Sequence, residues 1–249
     1  MSAVAIITAR GGSKRIPRKN IRDFLGRPVI AYSIEAALQS GAFDTVMVST
    51  DDEEIARIAK ENGASVPFLR SEKTSDDFAT TADVLFEVLD TYAAQGQTFD
   101  LGCCIYPTAP FVTAQKLSDA MKRFRESDAD QLIPVVRFSY PPQRGMIIEG
   151  CADGAAAGEA ASAEVCVDCV NGRLRFAQPE FLNARSQDLV PYYHDAGQFY
   201  LFRVAAFRKN RHMMVGNVMP FEVAETEVQD IDNETDWKIA EMKYRLMIS

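Results

Sequence analysis

Long apolar runs, leader signals and abundant cysteine are all missing from this 249-residue sequence. No stretch of eighteen or more apolar residues occurs, so no membrane-spanning helix is predicted. The N-terminus, MSAVAIITARGG, has no basic leader or secretion cleavage site, and we interpret it as a first strand. Five cysteines are an odd count, and a chain of this length needs no disulfide staples. These absences predict a cytoplasmic protein with reduced thiols.

Familiar metal and nucleotide signatures are absent as well. His194 and His212, the only histidines, form no metal-ligand pattern with the cysteines, and Cys166-x-x-Cys169 lacks a second cysteine pair. The sequence therefore predicts no zinc site. Neither the Walker A spacing nor the G-x-G-x-x-G of a dinucleotide fold is present. An anion site in this chain must therefore use residues other than those two glycine motifs.

Positive charge is concentrated in one segment of an otherwise acidic chain. The formal net charge is -8, which disfavours a general nucleic-acid binder. Between Arg10 and Arg27, however, seven cationic side chains stand against one acidic residue, Asp23. Such a patch in an acidic protein predicts a small anionic ligand near the N-terminus.

Strand and helix patterns alternate along most of the chain. The sequence predicts strands at 4–7, 45–49, 66–69, 101–106 and 132–136, and helices at 28–41, 51–63, 80–92 and 113–124. Further strands are predicted at 198–202 and 218–223, before a last helix that starts at Asn233. This order predicts an α/β fold, with a mostly parallel central sheet flanked by helices on both faces.

The alternation breaks between residues 139 and 195, where short strand-like pieces and several prolines occur. The Ala/Gly-rich stretch 151–163 can bury little surface, and we interpret it as a loop or hairpin tip. We expect a single domain over 1–249, with 139–195 as an inserted excursion. The excursion is too irregular to bury its own apolar residues, so it is predicted to pair with a second copy of the chain.

The first candidate site is the loop of residues 9–20, which follows the first strand. Ligands of open α/β sheets bind beyond the carboxyl ends of the strands. Gly11 and Gly12 allow backbone amides to approach an anion, and the arginines and lysines neutralise its charge. The alternative interpretation is a solvated basic loop without a ligand.

The second candidate site is Asp230 with Asp232. On an extended segment the two carboxylates share one face and suit a hard divalent cation. The alternative is that both acids cap the final helix. Asp51, just past another strand, is either a third acid or a helix cap.

Other candidates are weaker. The polar loop Ser75-Asp76-Asp77 and the pair Thr80-Thr81 precede a helix, and Thr80 with Asp83 matches a capping box. The turn from Tyr106 to Pro110 follows a strand, and the alternative interpretation is that it is only a rigid turn.

These motifs together resemble the CMP-sialic acid synthetase (acylneuraminate cytidylyltransferase) family. The opening motif runs from Ile7 to Asn20, and further matches are Ser49–Asp52, Ser75–Asp77, Pro107–Pro110 and Asp230–Asp232. Two later segments, Tyr140–Arg144 and Arg185–Tyr200, resemble the pseudaminic acid branch of that family. Tyr106 and Val112 depart from the pattern, since the neuraminate enzymes carry Gln and Arg there.

The resemblance implies a Rossmann-like nucleotidyltransferase fold and a homodimer in which the excursion reaches the partner's site. It also implies that CTP and a nonulosonic acid, most similar to pseudaminic acid, react with Mg²⁺ to give a CMP-sugar and pyrophosphate. By motif position, Arg10 and Lys19 hold the phosphates, and Asp230 and Asp232 bind Mg²⁺; these four are the implied catalytic residues. The implied nucleotide contacts also include Gly11, Gly12, Ser13, Asn20, Thr80 and Thr81. The implied sugar contacts are Gln143, Arg144, Arg185, Gln187, Gln198 and Tyr200.

Alternatives remain within and outside this resemblance. Neuraminic, legionaminic or 3-deoxy-manno-octulosonic acid would use the same fold and metal site. A catalytically inactive nucleotide-binding protein is a different class, which the intact Arg10, Lys19, Asp230 and Asp232 disfavour. No residue is identified as a general base.

Overall fold

The computed structural model describes residues 1–76, 78–149 and 172–249 and divides them into two compact units. The larger unit comprises Met1–Val136 and Asp195–Ser249, and the smaller comprises Arg137–His194. The predicted role of 139–195 in dimerisation and substrate binding stays a prediction. Among the described residues, none of the helices has the length and apolar character needed to cross a bilayer.

The strands and helices of the larger unit follow the predicted alternation closely. The strands are β1 Ala3–Thr8, β2 Asp23–Phe24, β3 Arg27–Pro28, β4 Thr45–Ser49, β5 Leu101–Ile105, β6 Gln131–Arg137, β10 Phe199–Arg203 and β11 Val218–Glu222. The helices are α1 Val29–Gln39, α2 Glu53–Glu61, α3 Thr81–Ala94, α4 Ala114–Arg125, α5 Val204–Asn210 and α6 Glu234–Ile248.

The central sheet has the strand order β11-β6-β10-β5-β1-β4. β1 pairs in parallel with β4 and β5, and β11 pairs in parallel with β6. β10 runs antiparallel to both of its neighbours. The predicted mostly parallel sheet is therefore confirmed, with one reversed strand inside it.

Both faces of this sheet are covered by helices, as predicted. Ala5 and Ile7 of β1 pack in one core cluster with residues of α1, α2 and α4. Val4 and Ile6, which point the other way, pack in a second cluster with α3 and α5. A strand buried on both faces needs a continuous apolar run, and β1 has one.

The smaller unit contains a hairpin of β7 Met146–Glu149 and β8 Arg173–Phe176. Its backbone is also tied by Phe138 N, which donates to Tyr192 O at 2.9 Å. The Ala/Gly-rich stretch 151–163 lies outside the described residues, as do Cys151, Cys166 and Cys169. The last strand in this part of the chain is β9 Tyr193–Asp195.

One secondary-structure prediction was wrong, and one helix was missed. The segment 66–69 forms no strand, since only Ser65 bridges to Met47 of β4. Pro67 has no amide hydrogen to donate to a strand ladder, which explains the early end of pairing. The helix α5 was not predicted, because its seven residues are too short to show a helical period.

Candidate active site

The loop of residues 9–20 leaves the carboxyl end of β1 and folds back on itself. Asn20 is buried, and its Nδ2 donates to the Arg10 carbonyl at 2.8 Å. Gly11 N donates to Asp51 Oδ1 at 2.9 Å. A Cβ on Gly11 would lie 2.8 Å from Asp52 Oδ2, so only glycine fits this close approach. The loop is therefore packed against the end of β4 rather than freely solvated.

A cavity of about 400 Å³ opens above this loop. Its lining residues are Thr8, Arg10, Ser13, Lys14, Arg15, Ile16, Lys19, Asn20, Tyr106, Pro107, Thr108 and Asp232. We call it the cationic cavity, because four of its side chains carry a positive charge and one a negative charge. Its size and charge suit a polyanion such as a nucleotide phosphate chain.

The fold brings the Asp230–Asp232 segment to this cationic cavity. Lys19 Nζ donates to the Ile231 carbonyl at 2.6 Å and lies 3.9 Å from Asp232 Oδ1. Arg15 Nη2 forms an ion pair with Asp232 Oδ1 at 2.8 Å. Lys19 and Ile231, which are 212 positions apart in the sequence, are therefore in contact.

Ile231 explains why the two carboxylates face away from the core. Its side chain is 1% exposed and packs with Ile16, Phe24 and Trp237, so the flanking residues point outward. Burial raises the pKa of Asp230, and the neighbouring Asp232 charge raises it further. Two like charges held near each other are typical of a cation site.

The alternative role of these acids as helix caps is not supported. Asn233 caps α6, because its side chain accepts hydrogen bonds from Thr235 N and Asp236 N. Asp51 is not the cap of α2 either, since Asp52 Oδ1 accepts from Ile55 N at 2.9 Å. Asp51 instead accepts the Gly11 amide described above.

The donor set at Asp230 and Asp232 fits a hard divalent cation with an incomplete protein shell. Carboxylate oxygens are the ligands that Mg²⁺ prefers. Within residues 1–76, 78–149 and 172–249, no group of three or more His, Cys, Asp and Glu side chains is placed to hold a metal ion. A cation bound here would complete its coordination with water and ligand oxygens.

A second cavity of about 250 Å³ adjoins the first through Tyr106, which lines both. Its other lining residues are Thr80, Thr81, Ala82, Tyr200, His212, Met213 and Met214. We call it the aromatic cavity. The Tyr106 hydroxyl shares hydrogen bonds with Thr81 and Tyr200, and Tyr200 Oη donates to Asp195 Oδ2 at 2.7 Å. Burial raises the pKa of both tyrosines, so they remain neutral donors.

Thr80 and Thr81 have different hydrogen-bond partners at the start of α3. Thr80 Oγ1 accepts from Asp83 N, and Asp83 accepts from Thr80 N, which completes the predicted capping box. Thr81 bonds to Tyr106 instead. The weaker candidate Asp76 bonds Arg10 Nη1 through its carbonyl at 3.0 Å, whereas Asp77 lies outside the described residues.

Gln198 and Tyr200 are the predicted sugar contacts of the larger unit. Gln198 is 2% exposed, and its Nε2 donates to the Glu227 carbonyl at 2.5 Å. Its Oε1 is buried and has no hydrogen-bond partner within the described part of the chain. A buried amide oxygen in that state is open to a ligand or water.

The other four predicted sugar contacts belong to the smaller unit. Gln143 is buried and donates to the Val190 carbonyl at 2.8 Å. Arg185 is exposed and pairs with Asp188 at 2.8 Å. Arg144 and Gln187 are also exposed. Their role in substrate binding stays a prediction.

Several side chains beside β4 and in the aromatic cavity were not predicted. Arg70 is buried, and its guanidinium donates to Ser49 O at 2.7 Å and to Ser49 Oγ at 3.1 Å. Met213 and Met214 line the aromatic cavity. The sequence signal for them is slight: a lone arginine after an apolar pair, and two adjacent methionines beside a histidine.

Known proteins resemble the chain, and one of those below does so over nearly its whole length. The sequence profile of the family described as Cytidylyltransferase matches residues 4–219. A pseudaminic acid cytidylyltransferase of Campylobacter jejuni is 37% identical over 246 residues, which cover 99% of this chain and 97% of that protein. A CMP-N,N'-diacetyllegionaminic acid synthase of Legionella pneumophila is 39% identical over 122 residues, 49% of this chain and 53% of that protein.

A solved structure shows the same fold. It is that of a CMP:2-keto-3-deoxy-manno-octonic acid synthetase complexed with CTP, with a TM-score of 0.67 and 18% identity. The alignment covers 99% of this chain and 100% of that one. Together with the profile match and the full-length relative, this fold identifies the chain as an enzyme of the cytidylyltransferase family.

Proposed function

We propose that this enzyme transfers CMP from CTP to a nonulosonic acid, with pseudaminic acid preferred, and releases pyrophosphate. The observation that carries the proposal is the meeting of Lys19 and Arg15 with Asp232 at the cationic cavity. The full-length similarity to a pseudaminic acid cytidylyltransferase supports the choice of sugar.

In this proposal the triphosphate of CTP lies in the cationic cavity. Arg10 and Lys19 neutralise the phosphate oxygens, while Ser13, Asn20 and the glycine loop shape the nucleotide site. Negative charge develops on the departing pyrophosphate, so cations already in place lower the barrier by electrostatics and positioning. Arg15 and Lys19 contact the acidic segment in the structure, and the phosphates would compete for them.

Asp230 and Asp232 would hold the metal ion, which we propose to be Mg²⁺. When bound, a divalent cation supplies charge stabilisation to the phosphate oxygens. The two carboxylates would hold that cation beside the proposed phosphate site, since Asp232 lines the cationic cavity.

We place the sugar in the aromatic cavity. Tyr106 offers a neutral hydroxyl to the oxygens of the sugar, and Tyr200, whose proton is donated to Asp195, offers its hydroxyl oxygen as an acceptor. Met213 and Met214 offer apolar contact to the acyl or methyl groups of the sugar. The oxygen of the anomeric hydroxyl would bond to the α-phosphorus and lose its proton to water or to the carboxylate of the sugar, as the bond to the departing pyrophosphate breaks. Tyr106 lines both cavities, so in this proposal its ring lies where CTP and the sugar meet. Thr81 holds the Tyr106 hydroxyl in place.

We further propose that the enzyme works as a homodimer in the cytoplasm, where CTP is available. The segment 139–195 would pair with a second copy and contribute Gln143, Arg144, Arg185 and Gln187 to the sugar site. The exposed apolar side chains of the smaller unit support this role, and they include Tyr140, Met146, Ile147, Leu174 and Val190.

A substrate panel tests the proposal. Purified enzyme, CTP and Mg²⁺ are mixed with pseudaminic, N-acetylneuraminic, legionaminic or 3-deoxy-manno-octulosonic acid, and pyrophosphate release is measured. We expect the highest kcat/KM with pseudaminic acid, and CTP to be preferred over ATP and GTP. Equal or reversed preference among the sugars contradicts the choice of sugar, and no release with any of them leaves an inactive nucleotide-binding protein.

A further inference from the structure

Arg18 has a backbone conformation that side chains seldom adopt. It precedes the short 3-10 turn Lys19–Ile21, with φ 56° and ψ 29° in the left-handed region. Glycine, asparagine and aspartate are the usual residues there, because a Cβ crowds the following carbonyl. An arginine held in this conformation needs a side-chain contact that compensates for it.

The guanidinium of Arg18 provides that contact, because it forms hydrogen-bonded ion pairs with two acidic residues at the start of α2. Nη1 donates to Asp52 Oδ2 at 2.5 Å, and Nη2 donates to Asp52 Oδ1 at 3.1 Å. Nη2 also contacts Glu54. A paired fork of this kind fixes orientation as well as distance. Its hydrogen bonds hold the pKa of Asp52 below the ordinary value, which keeps the carboxylate charged.

Asp52 is itself firmly held, so it can serve as an anchor. Its side chain caps α2 at Ile55 N, and its amide donates to Thr50 Oγ1 at 3.1 Å. The same carboxylate packs against Gly11, where a Cβ would not fit. Asp52 therefore contacts both ends of the loop that bears the phosphate-binding cations: Gly11 at its start and Arg18 at its end.

We infer that Arg18 and Asp52 form a clamp that positions Lys19, and thereby the loop, for CTP. The inference rests on the proposed function, in which Lys19 binds the phosphates. Lys19 follows Arg18 directly, so a change in the backbone at Arg18 redirects the Lys19 side chain. Neither clamp residue lines the cationic cavity, so each acts through the loop rather than by touching CTP.

The clamp is tested with variants that separate its charge from its structural roles. Arg18→Gln removes the fork. Asp52→Asn also removes the charge pair but keeps the cap, because asparagine caps as well as aspartate. Arg18→Gly accepts the left-handed conformation without a side chain, and Arg18→Lys restores one charged contact. Arg57→Gln is the matched control, since Arg57 pairs with Glu61 on the same helix.

Isothermal titration with CTP and Mg²⁺, steady-state kinetics and melting temperatures are measured for each variant. We expect Arg18→Gln and Asp52→Asn each to raise the dissociation constant and KM for CTP about tenfold, short of the hundredfold that a misplaced catalytic group can cost. The double variant should be no weaker than either single one. Arg18→Gly should behave as Arg18→Gln does, Arg18→Lys should recover part of the affinity, and Arg57→Gln should match the wild type.

Three results would contradict the clamp or the function on which it rests. CTP affinity of Arg18→Gln within twofold of the wild type overturns the clamp, even when the melting temperature falls. Additive effects in the double variant overturn it too, because the two residues would then act separately. A wild-type enzyme that binds no CTP overturns the proposed function itself, and the inference with it.

Discussion

Lys19 shows how much the surroundings of one residue matter. In the sequence it is one of several cations in a loop, a position that predicts an exposed side chain with little packing to lose. In the structure its side chain is only 20% exposed and bonds the Ile231 carbonyl. Burial lowers the pKa of its ammonium, although Asp232 and Asp230 act in the opposite direction. Replacing a lysine in this position therefore lowers the free energy of unfolding more than replacing a solvated lysine does.

Lys19→Ala should lower kcat/KM for CTP by about 30- to 1000-fold, which corresponds to about 2–4 kcal/mol of lost phosphate pairing. The melting temperature should also fall, but by less than a core substitution would cause, because one hydrogen bond to Ile231 is lost. Kinetics and thermal melts measure both effects, with exposed Lys60→Ala on α2 as control. Near-normal turnover would remove Lys19 from the mechanism.

Asp230→Asn and Asp232→Asn should each abolish most turnover while the fold stays intact. Removing one of two neighbouring like charges relieves repulsion, and Asn233 supplies the helix cap, so Asp230→Asn should keep or slightly raise stability. Asp232→Asn also loses the half-exposed ion pair with Arg15, so its stability should stay close to that of the wild type. Activity and melting temperature are compared with and without Mg²⁺ and CTP, and Asp119→Asn on α4 is the control. Metal binding should be weak without CTP and much tighter with it. Full activity in both variants would place the metal elsewhere.

At the scale of elements, local signals predicted helix starts well. Thr80 with Asp83 forms the capping box of α3, and Asn233 with Asp236 forms that of α6. Such signals depend on residues within one turn, so the sequence alone contains them. The segment 66–69 failed because β-branched and aromatic residues favour a strand, while Pro67 removes the donor that pairing requires.

The cap and the cavity at α3 can be separated by two neighbouring threonines. Thr80→Ala should lower the free energy of unfolding by about 1 kcal/mol, because the first turn of α3 loses its cap. Thr81→Val keeps the cap but removes the hydroxyl that bonds Tyr106, so it should lower turnover at nearly unchanged stability. Chemical denaturation and kinetics measure the two. A stability loss from Thr81→Val equal to that from Thr80→Ala would contradict this division.

For the whole molecule, the smaller unit leaves apolar surface uncovered in a single chain. Ile147 and Ile148 of β7 and Leu174 of β8 are 40%, 38% and 62% exposed. Ile148 and Leu174 are cross-strand partners on one face of the hairpin, and Ile147 lies on the other. Apolar groups exposed in this way are typical of protein interfaces. The predicted partner is a second copy of this chain, related by a two-fold axis.

Sedimentation of the wild type at micromolar concentration should show a dimer, and Ile147→Lys should shift it toward monomer, because a charge would be buried at the interface. Met242→Lys is the matched control: Met242 is an exposed apolar residue on α6, outside the smaller unit. Only monomer in the wild type would contradict the dimer, and a dimer that persists in Ile147→Lys would place the interface elsewhere.

The alternation of strands and helices, the cationic loop after β1 and the capping box of α3 follow from the amino-acid order alone, because each depends on residues close together in the chain. Three features arise only in the folded chain: Lys19 contacts Ile231, Arg18 pairs with Asp52, and Tyr106 lines both cavities. These contacts depend on which strands become neighbours in the sheet. That order is set by burial on both faces at once, a property of the whole core that no local pattern contains.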